Sequence, residues 1–468
     1  MAFPLTCGVD SMRISTLEGK RVALWGFGRE GRAAHAAIRR HFPLQPLTLF
    51  CPSLEHPQAL ALADPLLDVR EAPTVVELCS FDAVIKSPGI SPYLPPAAEA
   101  LANGAQFTSG TALWFAQALP GLKLCVTGTK GKSTTTALIA HLLRARGLPV
   151  GLAGNIGMPL LEVLDPALPP AAWAIELSSY QTGDARIPDL ALVLNLFPEH
   201  LNWHGSEARY VEDKLRLVTH SNPRRVLLNW QDQRLRDLGE TLPNVRWFGR
   251  EDGWHLRERS VYRADCCVLR RVPAALPGNH NALNLCAALA AIEAVDFDAV
   301  TLAAHAARFK PLPHRLQPLG QRGGIGFIDD SIATTPHASL AALDCLRHRR
   351  VAIIVGGFDR GIDWSVFAER VRTDSPAAVI CTGQNGPRIH ALLSNTGLAA
   401  GSLLRQAEGM PQSVQLAREL VGADGIVLLS PGAPSFPEYR DYAERGRHFA
   451  KLAGFEVKRS EIQGLGIA

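Results

Sequence analysis

The sequence predicts an α/β protein of three domains, and three observations lead to this fold class. The chain has 468 residues, which is too long for one hydrophobic core, so several domains are expected. Short apolar runs alternate with helical stretches along the chain, which is typical of strand–helix units with parallel sheets. Glycine-rich turns follow two of these runs. The composition, with 47% hydrophobic and 20% charged residues, suits a folded protein.

The first predicted domain covers residues 1–107 and is Rossmann-like. An apolar run is followed by Gly26-x-Gly28-x-x-Gly31, which opens an alanine-rich helix that ends near Arg40. A strand, a glycine turn, a helix and a second strand form one unit of a parallel sheet. The predicted strands lie at residues 21–24, 47–50 and 82–86, and a helix over residues 112–118 follows.

The second predicted domain covers residues 108–311 and is a P-loop ATPase-like domain with a parallel sheet. Its first apolar run leads directly into a loop rich in glycine and lysine and then into a helix. The predicted strands lie at residues 122–126, 172–176, 190–195 and 225–229, and the predicted helices at residues 135–146 and 281–295.

The third predicted domain covers residues 312–468 and is again Rossmann-like. A proline-rich link, Pro311-Leu-Pro313, leads into it, and apolar runs then alternate with helical stretches. The predicted strands lie at residues 325–328, 351–355, 377–381 and 425–429, and the last helix covers residues 439–452.

The loop of the second domain, Val126-Thr-Gly128-Thr129-Lys130-Gly131-Lys132-Ser133-Thr134, predicts a phosphate-binding site. Its glycines permit a tight turn, and the following helix presents its positive end to an anion. Lys132 is placed to reach the outer phosphates and Ser133 to offer a hydroxyl to Mg²⁺. The loop is shorter than the common P-loop, because Val126 stands where the first glycine belongs. A glycine turn with a surface lysine is the alternative.

The glycine sequence of the first domain, Gly26-x-Gly28-x-x-Gly31, indicates a nucleotide site less specifically than the loop of the second domain does. A dinucleotide-binding fold also needs an acidic residue at the end of the second strand, and Phe50-Cys51-Pro52 stands there instead. A hydride-transfer enzyme is therefore disfavoured. The loop remains a candidate for the diphosphate of another nucleotide, or a turn that only packs a helix closely.

Two further side chains are candidates for a Mg²⁺ site. Glu176 ends one predicted strand, and His200 follows the next one. Ligands gather at the carboxyl ends of strands in doubly wound sheets, so the two are expected near each other. A lone histidine is more often structural, and the pairing with Glu176 is what favours a ligand.

Charge and composition exclude several classes of function. The net charge is +4 and no basic stripe interleaved with aromatic residues occurs, so a nucleic-acid partner is not expected. The start of the chain lacks the pattern of a signal peptide, and no apolar run has the length of a membrane span. The nine cysteines lack metal-binding spacing and are read as reduced thiols of a cytoplasmic protein. Cys266 and Cys267 are expected in a half-buried strand.

Several short motifs together resemble the Mur ligases, the ATP-dependent amino-acid ligases of peptidoglycan synthesis. The form Gly-Thr-x-Gly-Lys-Ser of the loop is the family's own, which accounts for its shortness. The resemblance covers nearly the whole chain, and the sequence Glu176-Leu-Ser-Ser-Tyr-Gln together with the ending Tyr442-Ala-Glu-Arg445-Gly446 looks most like the MurD type. The other motifs in the family's order are Gly154-Asn-Ile-Gly157, Gly278-Asn-His-Asn281, Leu312-Pro-His-Arg315, Asp330-Ser331 and Leu429-Ser-Pro431.

The resemblance implies an activity and a set of ligands. The substrates would be UDP-N-acetylmuramoyl-L-alanine and glutamate, the cofactors ATP and Mg²⁺, and the protein a monomer. The first domain would hold the UDP part through Gly26, Gly28, Gly31, Ser87 and Gly89. The nucleotide would be held by Gly128, Thr129, Lys130, Gly131, Lys132, Ser133, Thr134, Asn281, Asn284, Arg315 and Asp330. The muramoyl part would face Asn155, Ser178 and Gln181, and glutamate would contact Thr334, Arg360, Ser435 and Tyr442.

The family resemblance also assigns the catalytic and metal-binding residues. Lys132 would act on the phosphates, while Ser133, Glu176 and His200 would bind Mg²⁺. Lys214 looks like a lysine that the family carbamylates, which would turn a cation beside the metal into an anion; a solvated lysine in ion pairs is the alternative. The substrate carboxylate would be phosphorylated first, and the resulting acyl phosphate would then react with glutamate.

Three departures from the MurD pattern fall in the glutamate region. Ile332 and Arg360 each replace a common lysine, and Gly432-Ala433-Pro434 replaces Ala-Cys-Ala. These changes favour the branch that adds L-glutamate, with D-glutamate addition as the alternative. Folylpolyglutamate synthases share the loop but lack a separate first domain. A protein that uses ATP only as a conformational switch would not need Glu176, His200 and Lys214 together.

Overall fold

A computed structural model describes residues 12–310, 313–359, 361–435 and 437–456, without the side chains of Leu54 and Asn202. The chain divides into two compact units, which meet in sequence between Phe309 and Lys310. The first unit contains two sheets and the second unit one. None of the helices among the described residues is long and apolar enough to cross a membrane.

The first sheet has five parallel strands in the order β3-β2-β1-β4-β5. Its strands are β1 (Val22–Trp25), β2 (Leu47–Phe50), β3 (Leu67–Arg70), β4 (Ala83–Lys86) and β5 (Phe107–Thr108). The helices of this region are α1 (Arg29–His41), α2 (His56–Leu60), α3 (Val75–Ser80), α4 (Ala97–Ala102) and α5 (Gly110–Ala116).

Strand β1 forms the centre of this sheet because its side chains are apolar on both faces. Leu24 pairs in register with Leu49 on one side and Ile85 on the other, and Leu24 and Leu49 are fully buried. Chain order reverses at β1, since β2 lies on one side and β4 on the other. In open α/β sheets this reversal creates a crevice at the carboxyl ends of the strands.

The second sheet has nine strands in the order β14-β13-β12-β11-β10-β9-β6-β8-β7. All neighbours are parallel except the pairs β12–β13 and β13–β14. The strands are β6 (Leu122–Thr127), β7 (Val150–Gly154), β8 (Ala172–Glu176), β9 (Leu190–Val193), β10 (Val226–Asn229), β11 (Val245–Phe248), β12 (Trp254–Arg257), β13 (Ser260–Arg263) and β14 (Cys266–Leu269). The helices are α6 (Lys132–Ala145), α7 (Leu201–His204), α8 (Glu207–Thr219), α9 (Gln233–Gly239), α10 (Gly278–Ala294) and α11 (Ala299–Ala303).

Strand β6 lies between β8 and β9, and this position determines what surrounds the loop that follows it. Val126 of β6 is in register with Glu176 of β8 and with Leu192 of β9. The segments that leave β6, β8 and β9 therefore emerge side by side at one edge of the sheet. Helix α10 packs against α6, and its residues from Leu285 to Ile292 are all apolar and buried, as expected of the centre of a buried helix.

The sheet of the second unit has six strands in the order β15-β16-β20-β17-β18-β19, with only β15 antiparallel. Its strands are β15 (Gln317–Arg322), β16 (Ile325–Asp329), β17 (Val351–Val355), β18 (Ala378–Cys381), β19 (Leu403–Gln406) and β20 (Ile426–Leu429). Its helices are α12 (Pro336–Cys345), α13 (Ser365–Thr373), α14 (Gly386–Thr396), α15 (Gly409–Val421) and α16 (Tyr442–Leu452). Five short 3₁₀ helices complete the described structure, at Ile14–Leu17, Ser53–Glu55, Leu160–Val163, Thr182–Asp184 and Ala304–Arg308.

The predicted fold class is confirmed, and the main errors concern element ends. The helix expected from residue 439 begins at Tyr442, because the Asp441 side chain accepts a hydrogen bond from the Glu444 amide and caps it. The helix expected over residues 112–118 is shifted to Gly110–Ala116, where Ser109 provides the cap. Cys266 and Cys267 lie in a strand as expected, but both are exposed rather than half-buried. The predicted domain boundaries at residues 107 and 311 remain predictions.

Candidate active site

At two positions, the loop between β6 and α6 has a backbone conformation that only glycine readily adopts. Gly128 has φ +148° and Gly131, the residue before α6, has φ +85°. A Cβ atom on Gly131 would lie 2.4 Å from Asn284 Oδ1 on α10. The loop therefore turns tightly into the helix, and α10 packs directly against the turn.

Lys132 bends back over this loop. Its Nζ atom donates to the carbonyl oxygens of Gly128 and Thr129, both at 3.0 Å. Ser133 and Thr134 follow in the first turn of α6 and are buried. The structure thus brings together the lysine, the hydroxyl groups and the helix start that the sequence predicted as a phosphate site.

Lys130 projects to the side of the loop and binds Glu199. Its Nζ atom lies 2.6 Å from Glu199 Oε1, and Asn195 holds the Lys130 backbone through bonds of 2.8 and 3.0 Å. Burial acts to raise the pKa of Glu199, but the charge and hydrogen bond of Lys130 outweigh it, so this pKa lies below its ordinary value. Sequence reasoning gave no role to Asn195 or Glu199, although both follow β9 directly.

Glu176, at the end of β8, is 1% exposed. Its Oε1 atom accepts a hydrogen bond of 2.8 Å from the Asn155 side chain, while its Oε2 atom is buried and has no partner among the described residues. A buried acceptor without a donor is unfavourable unless a ligand completes it. The carboxylate is therefore suited to a cation.

Lys214 on α8 points into the same region and is 2% exposed. Its Nζ atom donates to the Gly128 carbonyl at 2.9 Å and lies 4.9 Å from the centre of the Tyr210 ring. Burial, followed by repulsion from Lys132, lowers the pKa of Lys214 well below its ordinary value, and Glu199 and Glu176 act in the opposite direction. The side chains of Lys132, Lys214 and Glu176 therefore lie close enough together for their charges to interact.

His200 adopts a left-handed backbone, with φ +56°, at the residue before α7. Its Nε2 atom is 3.8 Å from Glu199 Oε2, and its ring centre is 5.4 Å from that of Tyr180. Burial lowers the pKa of His200, which favours the neutral imidazole that binds metals. Within residues 12–456, as far as they are described, no three His, Cys, Asp or Glu side chains gather around one point.

Asn281 and Asn284, near the start of α10, are joined by a hydrogen bond. Asn281 donates to the Pro277 carbonyl at 2.8 Å, and Asn284 donates to Asn281 Oδ1 at 3.3 Å. Because Asn284 lies against Gly131, this pair borders the phosphate loop. Their predicted role toward the nucleotide is a proposal that this location supports.

Residues predicted to face the muramoyl substrate bind one another. The Ser178 hydroxyl donates to Gln181 Oε1 at 2.8 Å, and the Gln181 amide donates to the Thr111 hydroxyl at 3.2 Å. The 3₁₀ turn at Thr182–Asp184 follows directly. This loop leaves β8 immediately after Glu176, so it lies beside the candidate cation site.

The first glycine loop follows β1 at the crevice of the first sheet. A Cβ atom on Gly31 would lie 1.9 Å from the Gly26 carbonyl oxygen, so helix α1 starts in direct contact with the turn. The Ser87 hydroxyl, after β4, donates to the same carbonyl at 3.2 Å. Gly28 and Gly89 have open space where a side chain would be. Predicted UDP-side residues from two strands are thus adjacent.

The second unit contains the remaining predicted residues. Asp330 accepts hydrogen bonds from the Ser430 hydroxyl at 2.7 Å and the Leu316 amide at 3.0 Å, and burial raises its pKa to about 7. Thr334 is exposed, whereas Arg315, Ser435 and Tyr442 are partly buried. Arg360 and residues 311–312 lie outside the described residues.

Arg445 is a buried cation in this unit to which sequence reasoning gave no role. One guanidinium nitrogen donates to the carbonyl oxygens of Ser331 at 2.8 Å and Ala433 at 3.0 Å. These two segments carry Ile332 and the Gly432-Ala-Pro434 departure. Arg445 belongs to the motif Tyr442-Ala-Glu-Arg445-Gly446, but its partners Ala433 and Ser331 lie 12 and 114 residues away along the chain. No short motif in the sequence connects residues so far apart.

Comparisons with protein families identify two domains. Residues 126–292 match the Mur ligase middle domain, and residues 314–432 match the Mur ligase, glutamate ligase domain.

Curated relatives are similar over nearly the full length. The UDP-N-acetylmuramoyl-L-alanine--L-glutamate ligase of Xylella fastidiosa (strain 9a5c) is 58% identical over 98% of this chain and all of its own length. The protein of the same name from Xanthomonas campestris pv. campestris (strain 8004) is 57% identical over 97% of this chain and all of its own. Among solved structures, MurF ligase of Thermotoga maritima in complex with ADP superposes with a TM-score of 0.58, at 16% identity, over 87% of this chain and 94% of that chain. That structure supports the fold.

Proposed function

The chain belongs to the Mur ligase family, and from this membership we propose that it is the ATP-dependent ligase that joins L-glutamate to UDP-N-acetylmuramoyl-L-alanine in peptidoglycan precursor synthesis. The observation that carries the ligase chemistry is the convergence of Lys132, Lys214 and Glu176 at the carboxyl ends of β6 and β8. The names of the relatives supply the acceptor and the amino acid.

The proposed reaction has two steps. The alanyl carboxylate attacks the γ-phosphorus of ATP, a new O–P bond forms, and the bond to ADP breaks. The amine of L-glutamate then attacks the carbonyl carbon of the acyl phosphate, a C–N bond forms, phosphate leaves with the electron pair of the C–O bond, and the amine loses a proton.

The residues of the loop contribute positioning and charge to this reaction. Lys132 moves its ammonium group from the loop carbonyls to the phosphate oxygens, and the amides at the start of α6 hold the anion. The Thr129 hydroxyl, 2.6 Å from the Tyr210 hydroxyl, fixes the loop to α8. Phosphoryl transfer depends mainly on such placement and on neutralised charge.

The residues fit a Mg²⁺ ion. The unpartnered Glu176 Oε2 is a hard oxygen donor, and the neutral imidazole of His200 and the Ser133 hydroxyl would supply the other protein ligands. Mg²⁺ takes most other ligands from phosphate oxygens and water, so a cluster of three protein carboxylates or imidazoles is not required. When bound, the ion neutralises the developing negative charge.

We extend the proposal to a carbamate on Lys214. Its neutral amine adds to CO₂, an N–C bond forms, and one proton passes to solvent. The product replaces a cation beside Lys132 with an anion, which removes the repulsion acting on this buried site. The proposal also includes a monomeric protein located in the cytoplasm, without a nucleic-acid partner.

A ligation assay with separate glutamate isomers tests the function. The purified chain is incubated with ATP, Mg²⁺, UDP-N-acetylmuramoyl-L-alanine and either L- or D-glutamate, and phosphate release is measured together with the chirality of the product. We expect turnover with L-glutamate. A preference for D-glutamate would contradict the proposed L-glutamate substrate but not the ligase reaction. Activity on folates alone would contradict the proposed acceptor, UDP-N-acetylmuramoyl-L-alanine.

A further inference from the structure

A buried chain of hydrogen bonds lies beneath the candidate site and joins four segments of the first unit. Ser179 Oγ is 3.0 Å from His204 Nε2, and His204 Nδ1 is 2.7 Å from Asp213 Oδ2. The Tyr93 hydroxyl donates to the second oxygen, Asp213 Oδ1, at 2.7 Å. We name Ser179, His204, Asp213 and Tyr93 the buried relay.

The first three members have the hydrogen-bond order of a serine–histidine–aspartate catalytic triad. A nucleophilic serine must reach a substrate, but Ser179 is 4% exposed and His204 is completely buried. Asp213 is 5% exposed. The buried relay is therefore arranged to orient segments of the chain rather than to attack a substrate.

Each member of the buried relay adjoins a segment that contributes to the proposed site. Ser179 follows Ser178 in the loop after β8, and Asp213 directly precedes Lys214 on α8. His204 ends α7, the short helix that begins after His200. Thr182 adds a direct hydrogen bond between the segment after β8 and helix α8, because its hydroxyl donates to the Asp213 carbonyl at 2.6 Å.

Tyr93 connects this region to the UDP side. It follows the Ser87-Pro-Gly turn, and Trp203 of α7 binds the same turn, since its indole N–H donates to the Pro88 carbonyl at 3.1 Å. The Ser91 hydroxyl donates to the Trp203 carbonyl at 2.6 Å. The ring of Tyr180 stacks on Trp203 with 4.4 Å between centres. Helix α7 is thus fixed between the UDP-side turn and the Ser178–Gln181 loop.

We propose that Asp213 and His204 are positioning residues that fix the acceptor-binding surface, by holding the UDP-side turn and the loop after β8 in one arrangement against α8. The inference rests on the proposed function, because it assigns the muramoyl nucleotide to these segments. The relay includes a residue of each segment that the acceptor would bridge. It approaches the phosphate loop only through Tyr210, whose ring centre is 5.2 Å from that of His204, and through Lys214, which follows Asp213, while Asn195 holds the loop independently of the relay. Its loss therefore weakens acceptor binding more than nucleotide binding.

The direction of the hydrogen bonds supplies a specific test. Asp213 accepts from both the Tyr93 hydroxyl and the His204 Nδ1–H, so His204 Nε2 is left to accept from the Ser179 hydroxyl. In Asp213→Asn, the amide oxygen keeps the bond to Tyr93 and the amide N–H₂ faces His204 Nδ1. The ring proton must then move to Nε2, which reverses the bond to Ser179.

The experiment measures binding by calorimetry, without turnover, in the full chain. The ligands are UDP-N-acetylmuramoyl-L-alanine and a non-hydrolysable ATP analogue. For Asp213→Asn we expect acceptor affinity to fall about tenfold, and for Tyr93→Phe, which loses one hydroxyl, about threefold. The affinity for the ATP analogue stays within about twofold in both variants.

Asp189→Asn is the matched control. Asp189 is also a buried carboxylate, accepting from the Lys123 amide at 2.8 Å and pairing with Arg224 at 3.3 Å, but it lies before β9 at the opposite edge of the sheet. We expect it to lower the melting temperature as Asp213→Asn does while both ligand affinities stay unchanged. Nitrogen-15 spectra of the histidines, with His204 assigned through His204→Gln, should show the ring proton on Nδ1 in the parent and on Nε2 in Asp213→Asn.

The outcomes separate the two proposals. Unchanged acceptor affinity in Asp213→Asn, with a melting temperature lowered as in the control, would show a purely structural network and overturn the positioning role. If Asp213→Asn does not fold, Tyr93→Phe decides by itself, and unchanged acceptor affinity there has the same meaning. Failure of the parent chain to ligate L-glutamate, with acceptor binding still sensitive to both variants, would contradict the proposed function and leave the positioning role.

Discussion

The two glycine loops of the first unit follow the same plan but differ in charge. Each follows the strand of its sheet at which chain order reverses, and each leads directly into a helix. The loop after β6 is surrounded by Lys130, Lys132 and Lys214. The loop after β1 has Arg29, Glu30 and Arg32 at the start of its helix instead, and Arg32 donates to the Phe27 carbonyl at 2.9 Å, so a carboxyl group stands between two cations.

The difference shows that glycine spacing defines the shape of a loop, whereas the neighbouring side chains define its ligand. A loop flanked by lysines suits the several negative charges of a triphosphate, and the carbamate proposed for Lys214 would leave Lys130 and Lys132 as its ammonium groups. A loop whose cations are partly offset by a carboxyl group suits a ligand whose charge is smaller or is held by backbone amides. Four substitutions test this distinction, and they are ordered from the largest expected effect to the smallest.

Lys132→Met should have the largest effect. It removes the ammonium group that the loop would present to the phosphates, so we expect kcat to fall about a thousandfold. Lys123→Met is the control, because Lys123 lies on β6, the strand that leads into the loop, with its ammonium 2.6 Å from the Leu119 carbonyl, away from the loop. Steady-state phosphate release measures both variants. Equal activity of Lys132→Met and Lys123→Met would contradict the idea that its lysines distinguish the loop after β6 from the loop after β1.

Glu176→Gln should have the second largest effect. The amide keeps the oxygen that Asn155 binds but replaces the unpartnered carboxylate oxygen by a donor that repels a cation. We expect kcat to fall about a hundredfold and the Mg²⁺ concentration needed for half-maximal rate to rise. Glu293→Gln, which breaks an ion pair with Arg263 at 2.7 Å on β13, is the control and should retain activity. A Mg²⁺ titration that matches the parent would remove Glu176 from the cation site.

Gly31→Ala tests the shape that the two loops share. Its Cβ atom would meet the rigid Gly26 carbonyl, whereas the Cβ atom of Gly131→Ala would meet the end of the Asn284 side chain, which can turn away at the cost of its 3.3 Å hydrogen bond to Asn281. We expect Gly31→Ala to lower the melting temperature most and Gly131→Ala less, while Gly28→Ala, with open space at its Cβ position, melts within about 1 °C of the parent. Thermal unfolding followed by circular dichroism measures all three. The reverse order would contradict the close packing of α1 on its turn.

Glu30→Gln should have the smallest effect, confined to stability. Burial raises the pKa of Glu30 from 4.5 to about 7, with Arg29 opposing. Because this pKa is raised in the folded state, the contribution of Glu30 to the unfolding free energy is fully present below pH 4.5 and is lost as the pH rises through about 7. The variant should melt about 2–4 °C above the parent at pH 8 and close to it at pH 5. A constant difference across this range would contradict the raised pKa of Glu30.

Local pattern predicted the buried centre of each sheet and failed where strands are half-exposed. The predicted strands at residues 47–50, 172–176 and 351–355 have the observed ends, because parallel strands buried on both faces are continuous apolar runs. Strands β12, β13 and β14 were not predicted as a set. They form antiparallel hairpins at the edge of the second sheet, where polar and apolar residues mix.

The candidate site was predictable where its chemistry is local in sequence. The loop at residues 128–133 carries its own signal, and so does an acid at the end of a strand. The partners that complete the site are distant in sequence: Glu199 binds Lys130 across 69 residues, and Lys214 reaches Gly128 across 86. Such pairs depend on the order of strands in the sheet, which a single sequence does not specify. The buried relay was missed for the same reason.

One carbonyl oxygen, that of Gly128, accepts from the Nζ atoms of two lysines, Lys132 at 3.0 Å and Lys214 at 2.9 Å. An anion that draws Lys132 away leaves this oxygen to Lys214 alone and removes a neighbouring positive charge. Conversely, neutralising Lys214 removes the repulsion that favours withdrawal of Lys132, so Lys132 becomes harder to withdraw. Nucleotide affinity and the protonation or carbamylation of Lys214 are therefore thermodynamically linked, and each must change the other by the same factor. The dissolved CO₂ concentration should accordingly change the apparent dissociation constant for ATP.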